Sequence, residues 1–263
     1  MKMKFLIGVA MGAFAGCAEP QSGASSAPAT MSARSTTAQE DQTSDLSLHI
    51  PDELVFLPSL RVATSSSWND SIANAAGPDK QMLEAVGARY NGALYFRTKE
   101  EQAELARQGF PMPEEWIAAS RMSVEELESL AEGGNLKARM FYSDRVSSQL
   151  AAKQSGRKPG MIPEGTTEQE LIALSGKSLS AGSSLMRDTG SPFAAYLYGV
   201  ALSSVAAGAP LEPIAGSFFA ARDRGDTRAN GFMRDFTQRH PQLNMQSVMA
   251  VHSTMASLKP ASN

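Results

Sequence analysis

The clearest helical pattern of the chain lies in GSPFAAYLYGVALSSVAAGAPLEPIAGSFFAARDRGD, residues 190–226. Its first half carries large apolar side chains at intervals of three and four: Phe193, Tyr196, Leu197 and Val200. This spacing is typical of one face of an amphipathic helix. Gly190, Gly208 and Gly225 lie where a left-handed residue would end a helix, and Pro192 and Pro213 fit the first helical turn. The stretch therefore predicts a pair of helices joined by a short turn.

The same signals continue on either side of this stretch. Three hydroxyl residues are each followed at the third position by a glutamate, as in a capping box: Thr98 with Glu101, Ser123 with Glu126, and Thr167 with Glu170. Gly109 and Gly134 are expected to end further helices. Pro78 and Pro113 are expected to lie in the first turns of further helices. The one serious strand candidate is residues 93–97, with 54–62 a candidate extended segment. The predicted fold class is all-α.

A short pattern recurs three times along the chain. It consists of Gly followed directly by Asn, Ser or Asp, with Ala four residues after the glycine and Phe or Leu seven residues after it. The three copies comprise Gly134, Ala138 and Phe141; Gly190, Ala194 and Leu197; and Gly225, Ala229 and Phe232. In each copy the glycine would end one helix, the polar residue would cap the next, and the alanine would allow a neighbouring helix to approach closely.

This pattern resembles tetratricopeptide-like repeats, most closely the Sel-one-like variety. The resemblance is best over residues 190–226, where Ala194, Leu197, Gly199, Ala215 and Gly225 match positions of that family. It implies helical hairpins stacked as a short, irregular array that offers a protein-binding surface. The alternative that the residues leave open is a compact irregular helical bundle.

The N-terminus has the layout of a secretory signal peptide. Lys2 and Lys4 precede an apolar run over residues 5–15, which is shorter than the roughly 20 residues that a membrane span needs. The run ends at FAGC, residues 14–17, which holds the only cysteine of the chain. One cysteine can form no internal disulfide, so Cys17 has no evident structural task.

Residues 14–17 resemble the lipobox of bacterial lipoproteins, with Phe14 at a position where leucine is usual. The resemblance implies a signal peptide over residues 1–16 and a lipidated, palmitate-bearing Cys17 as the mature N-terminus. Ala18 then implies sorting to the outer membrane, with the domain facing the periplasm. The alternative is ordinary signal cleavage beside an incidental cysteine. Residues 17–46 are poor in large apolar side chains, which predicts a disordered tether before a helical domain over residues 47–263.

No arrangement of catalytic or metal-binding residues stands out in the sequence. The three histidines, His49, His240 and His252, are far apart, and no cofactor or metal is expected. The net charge of −3 does not favour a nucleic-acid partner. Trp116 and Tyr196 are candidates for a partner surface, although a core position for Trp116 agrees better with the prolines that precede it.

The sequence thus favours a lipid-anchored envelope protein that binds an unidentified envelope protein through helical repeats and is not an enzyme. The alternative is an envelope enzyme, such as a cell-wall hydrolase, whose acidic residues are too dispersed to be recognised by spacing. A third hypothesis is a lipoprotein that binds a small ligand.

Overall fold

The structure, a computed structural model, describes residues 65–155 and 162–258. The predictions for residues 1–16, 17–46 and 54–62, including Cys17 and His49, lie outside this part. The described residues form eleven α-helices and no strand, which confirms the all-α prediction. The helices are α1 (Trp68–Asn74), α2 (Gly77–Arg89), α3 (Lys99–Arg107), α4 (Pro113–Ser120), α5 (Val124–Glu132), α6 (Leu136–Gln154), α7 (Glu168–Asp188), α8 (Pro192–Val205), α9 (Glu212–Arg222), α10 (Ala229–Arg239) and α11 (Met245–Ser257).

The predicted helix starts are confirmed. Thr98, Ser123 and Thr167 are the N-caps of α3, α5 and α7, and each hydroxyl accepts a hydrogen bond from the backbone N–H three residues later. The four predicted prolines all lie in first turns: Pro78 in α2, Pro113 in α4, Pro192 in α8 and Pro213 in α9. These features depend on neighbouring residues alone, which is why the sequence predicts them.

Two boundaries differ from the prediction. Four of the five expected stop glycines have positive φ, but Gly190 does not: α7 ends at Asp188, and Thr189 follows in an extended conformation. The third copy of the repeat pattern was expected to start a helix directly after Asp226, yet α10 begins at Ala229. The reason is that residues 227 and 228 form a turn, in which the Asp226 carboxylate accepts from the N–H of Arg228.

The strand candidate at residues 93–97 is wrong. The segment is turn and coil after α2, with backbone hydrogen bonds from Ala93 N to Tyr90 O and from Tyr95 N to Gly92 O. A strand needs a neighbour to pair with, and the described chain has none. The carbonyl groups of Ala93 and Tyr95 are instead bound by the Arg228 side chain.

Helix α8 is the centre of the domain, and it was predicted to be amphipathic. It packs on α6, α7 and α9, and residues outside the predicted face, such as Ala195, Tyr198 and Ala201, are buried as well. A helix that is apolar on all sides belongs in a core. At its crossing with α9, a Cβ added to Gly199 would lie 2.9 Å from the carbonyl oxygen of Pro213, so this glycine permits the close approach of the two helices.

The remaining helices surround this centre. α6 also contacts α5 and α7, α9 also contacts α10 and α11, and α2 contacts α1 and α4. α4 in turn contacts α6. These contacts leave two grooves, one among α2, α4 and α6 and one among α5, α6 and α7.

Candidate functional site

The positions of the repeat pattern are mostly packing positions. Ala138, Ala194 and Ala229 are buried, as are Phe141 and Leu197, whereas Phe232 is half-buried. Gly134 and Gly225 end helices with φ of +91° and +102°, and Gly190 lies between α7 and α8 without a positive φ. These residues place helices relative to one another and do not form a ligand-contacting set.

The two candidates for a partner surface are in the core. Trp116 is 4% exposed and Tyr196 is 2% exposed, because both belong to an aromatic cluster around Phe193 and Phe110. The core position of Trp116 is therefore confirmed, and neither side chain is exposed enough to form the surface that a protein partner would contact. Partner contacts have to be sought elsewhere on the domain.

Tyr196 takes part in a buried polar arrangement with Asp226 and Arg228, which we call the closed cluster. The Tyr196 hydroxyl donates to Asp226 Oδ2 at 2.9 Å, and Arg228 donates from Nε to Oδ1 at 2.9 Å and from Nη2 to Oδ2 at 3.0 Å. Burial, followed by the negative charge of Asp226, raises the pKa of Tyr196 far above its usual range. The phenol therefore stays protonated and acts as a donor.

All three nitrogens of the Arg228 guanidinium group donate hydrogen bonds. Besides Asp226, it donates from Nη1 to the carbonyl of Tyr95 at 2.8 Å and from Nη2 to that of Ala93 at 2.9 Å. Its Cζ also lies 5.4 Å from the ring centroids of Phe110 and Phe232. With every nitrogen bonded, this group joins segments more than a hundred residues apart in sequence and has a structural role.

A second arrangement has the same three residue types, Tyr90, Asp144 and Arg89, and we call it the open cluster. Arg89 Nη1 donates to Asp144 Oδ1 at 2.5 Å and to Oδ2 at 2.6 Å, and the Tyr90 hydroxyl donates to Oδ1 at 2.6 Å. Burial, followed by the charge of Asp144, raises the pKa of Tyr90 well above its usual value. Nε and Nη2 of Arg89 have no hydrogen-bond partner within residues 65–155 and 162–258.

Two members of the open cluster, Arg89 and Asp144, line the groove among α2, α4 and α6, which we call the arginine groove. Its volume is about 300 Å³. The wall residues are Met82, Val86, Arg89, Trp116, Ala119, Ser120, Phe141, Asp144, Arg145 and Ser148. The lining holds two arginines and one carboxylate, so it carries a formal charge of +1, and most of its other side chains are apolar.

The groove among α5, α6 and α7, which we call the wide groove, has a volume of about 420 Å³. Its polar centre is Glu128, which accepts from the Tyr142 hydroxyl at 2.6 Å and from Lys177 Nζ at 2.8 Å. The hydrogen bond from Lys177, and then that from Tyr142, lower the pKa of Glu128. Burial, together with the hydrogen bond to Glu128, raises the pKa of Tyr142 to about 12. Small side chains of α7, such as Ser180 and Ala181, form one wall.

The described histidines do not contribute to either groove. His240 is the C-cap of α10. His252 on α11 is partly exposed, and its Nε2 lies 2.7 Å from Asp223 Oδ2. No cluster of three or more histidine, cysteine, aspartate or glutamate residues suited to a metal ion is found in the described ranges.

Sequence reasoning missed the polar residues of both grooves. Asp144 pairs with residues 54 and 55 positions earlier, and Lys177 lies 49 positions after Glu128. No spacing rule connects residues at such distances. The one available signal was the density of charged residues on α6, with Arg139, Asp144 and Arg145 among otherwise core-forming positions.

Within the described ranges, no helix combines the length and the apolar character needed to cross a membrane. Comparison with models of known protein families, with curated proteins and with solved structures finds no match to this chain. The function therefore has to be argued from the residues and the two grooves.

Proposed function

We propose that this chain is a lipid-anchored protein of the bacterial envelope, attached to the outer membrane through Cys17, whose helical domain binds another envelope protein. The sequence of residues 1–17 supports the anchor. The wide groove supports the binding role and is the surface to which we assign it. The proposed activity is non-catalytic.

The observation that carries the binding role is an exposed apolar side chain beside the wide groove. Ile172 is 64% exposed and lies one helical turn before Gly176, on the same face of α7 as the groove lining. Protein interfaces commonly combine an apolar anchor with a rim of charged groups. Lys177, Glu128 and Arg139 supply such charged groups in the lining of this groove.

The order of helix contacts supports the proposed repeat arrangement over part of the chain. α6, α7 and α8 contact one another and α8 contacts α9, as expected of two stacked hairpins, α6–α7 and α8–α9. The third expected hairpin, α10–α11, departs from this order, since α11 packs mainly on α9. The proposed array is therefore short and irregular.

The alternative, a cell-wall hydrolase, needs two acidic groups that are free to act on a substrate. The two buried aspartates of the described residues, Asp144 and Asp226, are each bound by an arginine and a tyrosine. Glu128 in the wide groove is likewise bound by Lys177 and Tyr142. These carboxylates are committed to internal partners, which leaves Glu132 as the one acid of the wide-groove lining without a partner among the described residues and favours binding over two-carboxylate hydrolysis.

Site-specific photocrosslinking in intact cells tests the binding role. A photoreactive residue in place of Ser180, which is exposed in the wide groove, should capture one defined protein, whereas the same residue in place of Glu84 on α2 should not. Ile172→Asp should abolish capture, and Met249→Asp, which changes another exposed apolar side chain, should leave it intact. Capture that is insensitive to Ile172→Asp would contradict the assignment of this surface.

The anchor has a separate test. Cys17→Ser should remove incorporation of radioactive palmitate, because the thiol is the only acyl acceptor that the motif offers. Equal labelling of the variant and the unchanged chain would refute lipidation at Cys17 and would leave the groove assignment untouched.

A further inference from the structure

The arginine groove combines charge, shape and unsatisfied donors in a way that the proposed protein-binding role does not use. We propose that this groove binds a small organic acid, a carboxylate attached to an apolar body, with Arg89 as the group that recognises the carboxylate. The site lies among α2, α4 and α6 and is separate from the wide groove, so the two assignments can fail independently.

The first argument is the bonding of Arg89. Its hydrogen bonds to Asp144 run from Nη1 to the two carboxylate oxygens, and the Tyr90 hydroxyl also interacts with the guanidinium. No hydrogen bond from Nε or Nη2 to any further residue is found within the described ranges, so this edge keeps N–H donors for a ligand. These two parallel donors match the two oxygens of a carboxylate, and such charge-assisted pairs are among the strongest hydrogen bonds in proteins. Asp144 also holds the guanidinium in place, which lowers the entropy lost when a ligand binds.

The second argument is the charge balance of the lining. Asp144 is the only acidic residue among the side chains that form the groove, and it compensates one of the two arginines. Arg145 donates to the carbonyl oxygen of Ala119 at 3.0 Å, which fixes its position on the wall of the groove. Its positive charge is then uncompensated within the lining, which favours an anion over a cation.

The third argument concerns the floor. Trp116 and Phe141 provide aromatic surface there, with Met82 and Val86 beside them, and this composition suits an apolar body rather than a bare inorganic ion.

The volume sets the size of the ligand. About 300 Å³ lies at the lower end of the range for small-molecule sites, roughly 300–1,000 Å³. An aryl or branched-chain carboxylic acid fits this volume, whereas a folded partner or a long acyl chain does not. The chemistry thus points to 3-phenylpropionate as a suitable probe.

Calorimetric titration of the purified full chain in detergent tests the proposal. We expect saturable binding of 3-phenylpropionate and no binding of the uncharged 3-phenylpropanamide, which keeps the apolar body and lacks the charge. Inorganic phosphate is the third ligand, because an arginine edge also accepts phosphate oxygens. Absence of saturable binding, equal binding of the amide, or tighter binding of phosphate would each overturn the assignment.

Arg89→Lys is the decisive variant, because lysine keeps the charge and the partner Asp144 but loses the paired donors. We expect the affinity for 3-phenylpropionate to fall by about tenfold or more, since one or more charge-assisted hydrogen bonds are lost. Arg121→Lys is the matched control. Arg121 forms an ion pair with Asp79, which lies on α2 as Arg89 does, but Arg121 is outside the groove lining. Its replacement should leave the affinity for 3-phenylpropionate unchanged.

A second variant keeps the test valid if Arg89→Lys fails to fold. Ser148→Phe places a bulky side chain in the groove while Arg89 and Asp144 remain. It should abolish binding of 3-phenylpropionate, with the helical circular-dichroism signal retained. Unchanged affinity in a folded Arg89→Lys or Ser148→Phe chain would show that the acid binds elsewhere and would overturn the proposal.

Discussion

The closed cluster and the open cluster use the same three residue types for different ends. In the closed cluster, Asp226 accepts from four donors, and Arg228 uses all three of its nitrogens. In the open cluster, Asp144 accepts from two donor groups, and Arg89 uses one nitrogen. The first arrangement is complete within the protein, whereas in the second Nε and Nη2 of Arg89, a residue that lines a groove, donate no hydrogen bond to Asp144.

The difference shows that a buried ion pair does not by itself reveal its role. What separates the clusters is the number of unsatisfied donors and the surface against which the arginine lies. Arg228 is enclosed by two carbonyl groups and two aromatic rings, while Arg89 forms part of a groove wall. A saturated arginine holds segments together, and an unsaturated one is available to a ligand.

Removing the aspartate of the closed cluster should destabilise the fold more than any other change considered below. Asp226→Ala should lower the free energy of unfolding by about 3–5 kcal/mol, because it leaves a partly buried arginine and a buried tyrosine hydroxyl without their acceptor. Asp144→Ala should cost less, about 1–3 kcal/mol, because fewer donors lose their partner. Urea unfolding of both variants measures the order, and an equal or larger loss for Asp144→Ala would remove the distinction between the clusters.

Replacing each arginine by lysine separates the bonding of the two clusters. Arg228→Lys should lower the free energy of unfolding by about 2–3 kcal/mol, since one ammonium group cannot replace four hydrogen bonds and contacts with two rings. Arg89→Lys should cost less than about 1 kcal/mol, because a single nitrogen suffices for Asp144. Denaturant midpoints that shift equally in the two variants would mean that the bonding of Arg89 is more extensive than described.

The closed cluster also depends on the crossing of α8 and α9, since Tyr196 lies on α8 and Asp226 follows α9. Gly199→Ala should lower the free energy of unfolding by about 1–3 kcal/mol, because the added methyl group meets the Pro213 carbonyl. Gly231→Ala in α10 is the control: nothing lies within 4 Å of its added Cβ, so the variant should gain about 0.5–1 kcal/mol. A melting temperature unchanged by Gly199→Ala would show that α8 and α9 can move apart at no cost to accommodate the added methyl group.

The tyrosines of both clusters predict a loss of stability in alkali. Their pKa values are raised in the folded chain, so above about pH 10 the unfolded chain loses phenolic protons that the folded chain keeps. Stability should then fall with rising pH by about 1.4 kcal/mol per pH unit for each such tyrosine. Tyr90→Phe and Tyr196→Phe should each reduce this slope in urea titrations between pH 10 and 11, and a slope that neither variant changes would contradict burial of the phenols.

Local physics accounts for what the sequence predicted correctly. Thr98, Ser123 and Thr167 each bond to an amide three residues away, so the sequence contains both partners. The all-α class follows from such starts together with the apolar spacing. The helix expected directly after Asp226 begins instead at Ala229, because residues 227 and 228 form a turn in which this carboxylate accepts from the N–H of Arg228. The same carboxylate also accepts from Tyr196, 30 residues earlier.

Long-range pairing accounts for what the sequence did not predict. Arg228 bonds to carbonyl groups 133 and 135 residues away, which also explains why residues 93–97 form a turn and no strand. The open cluster joins α2 to α6 in the same manner. Both grooves arise from helix crossings, and nothing in residue order alone places Arg89 beside Trp116.

The positions of the two tryptophans of the chain have a spectroscopic consequence. Trp68 stacks on Tyr95, whose backbone carbonyl accepts from Arg228 of the closed cluster. The ring centroids of Trp116 and of Tyr90, a member of the open cluster, are 6.1 Å apart. Each cluster thus has its own intrinsic fluorophore. In a Trp68→Phe chain, emission and quenching report on the floor of the arginine groove alone. In a Trp116→Phe chain, the remaining fluorescence comes from Trp68 and reports on the surroundings of the closed cluster. The two regions can therefore be followed separately during unfolding.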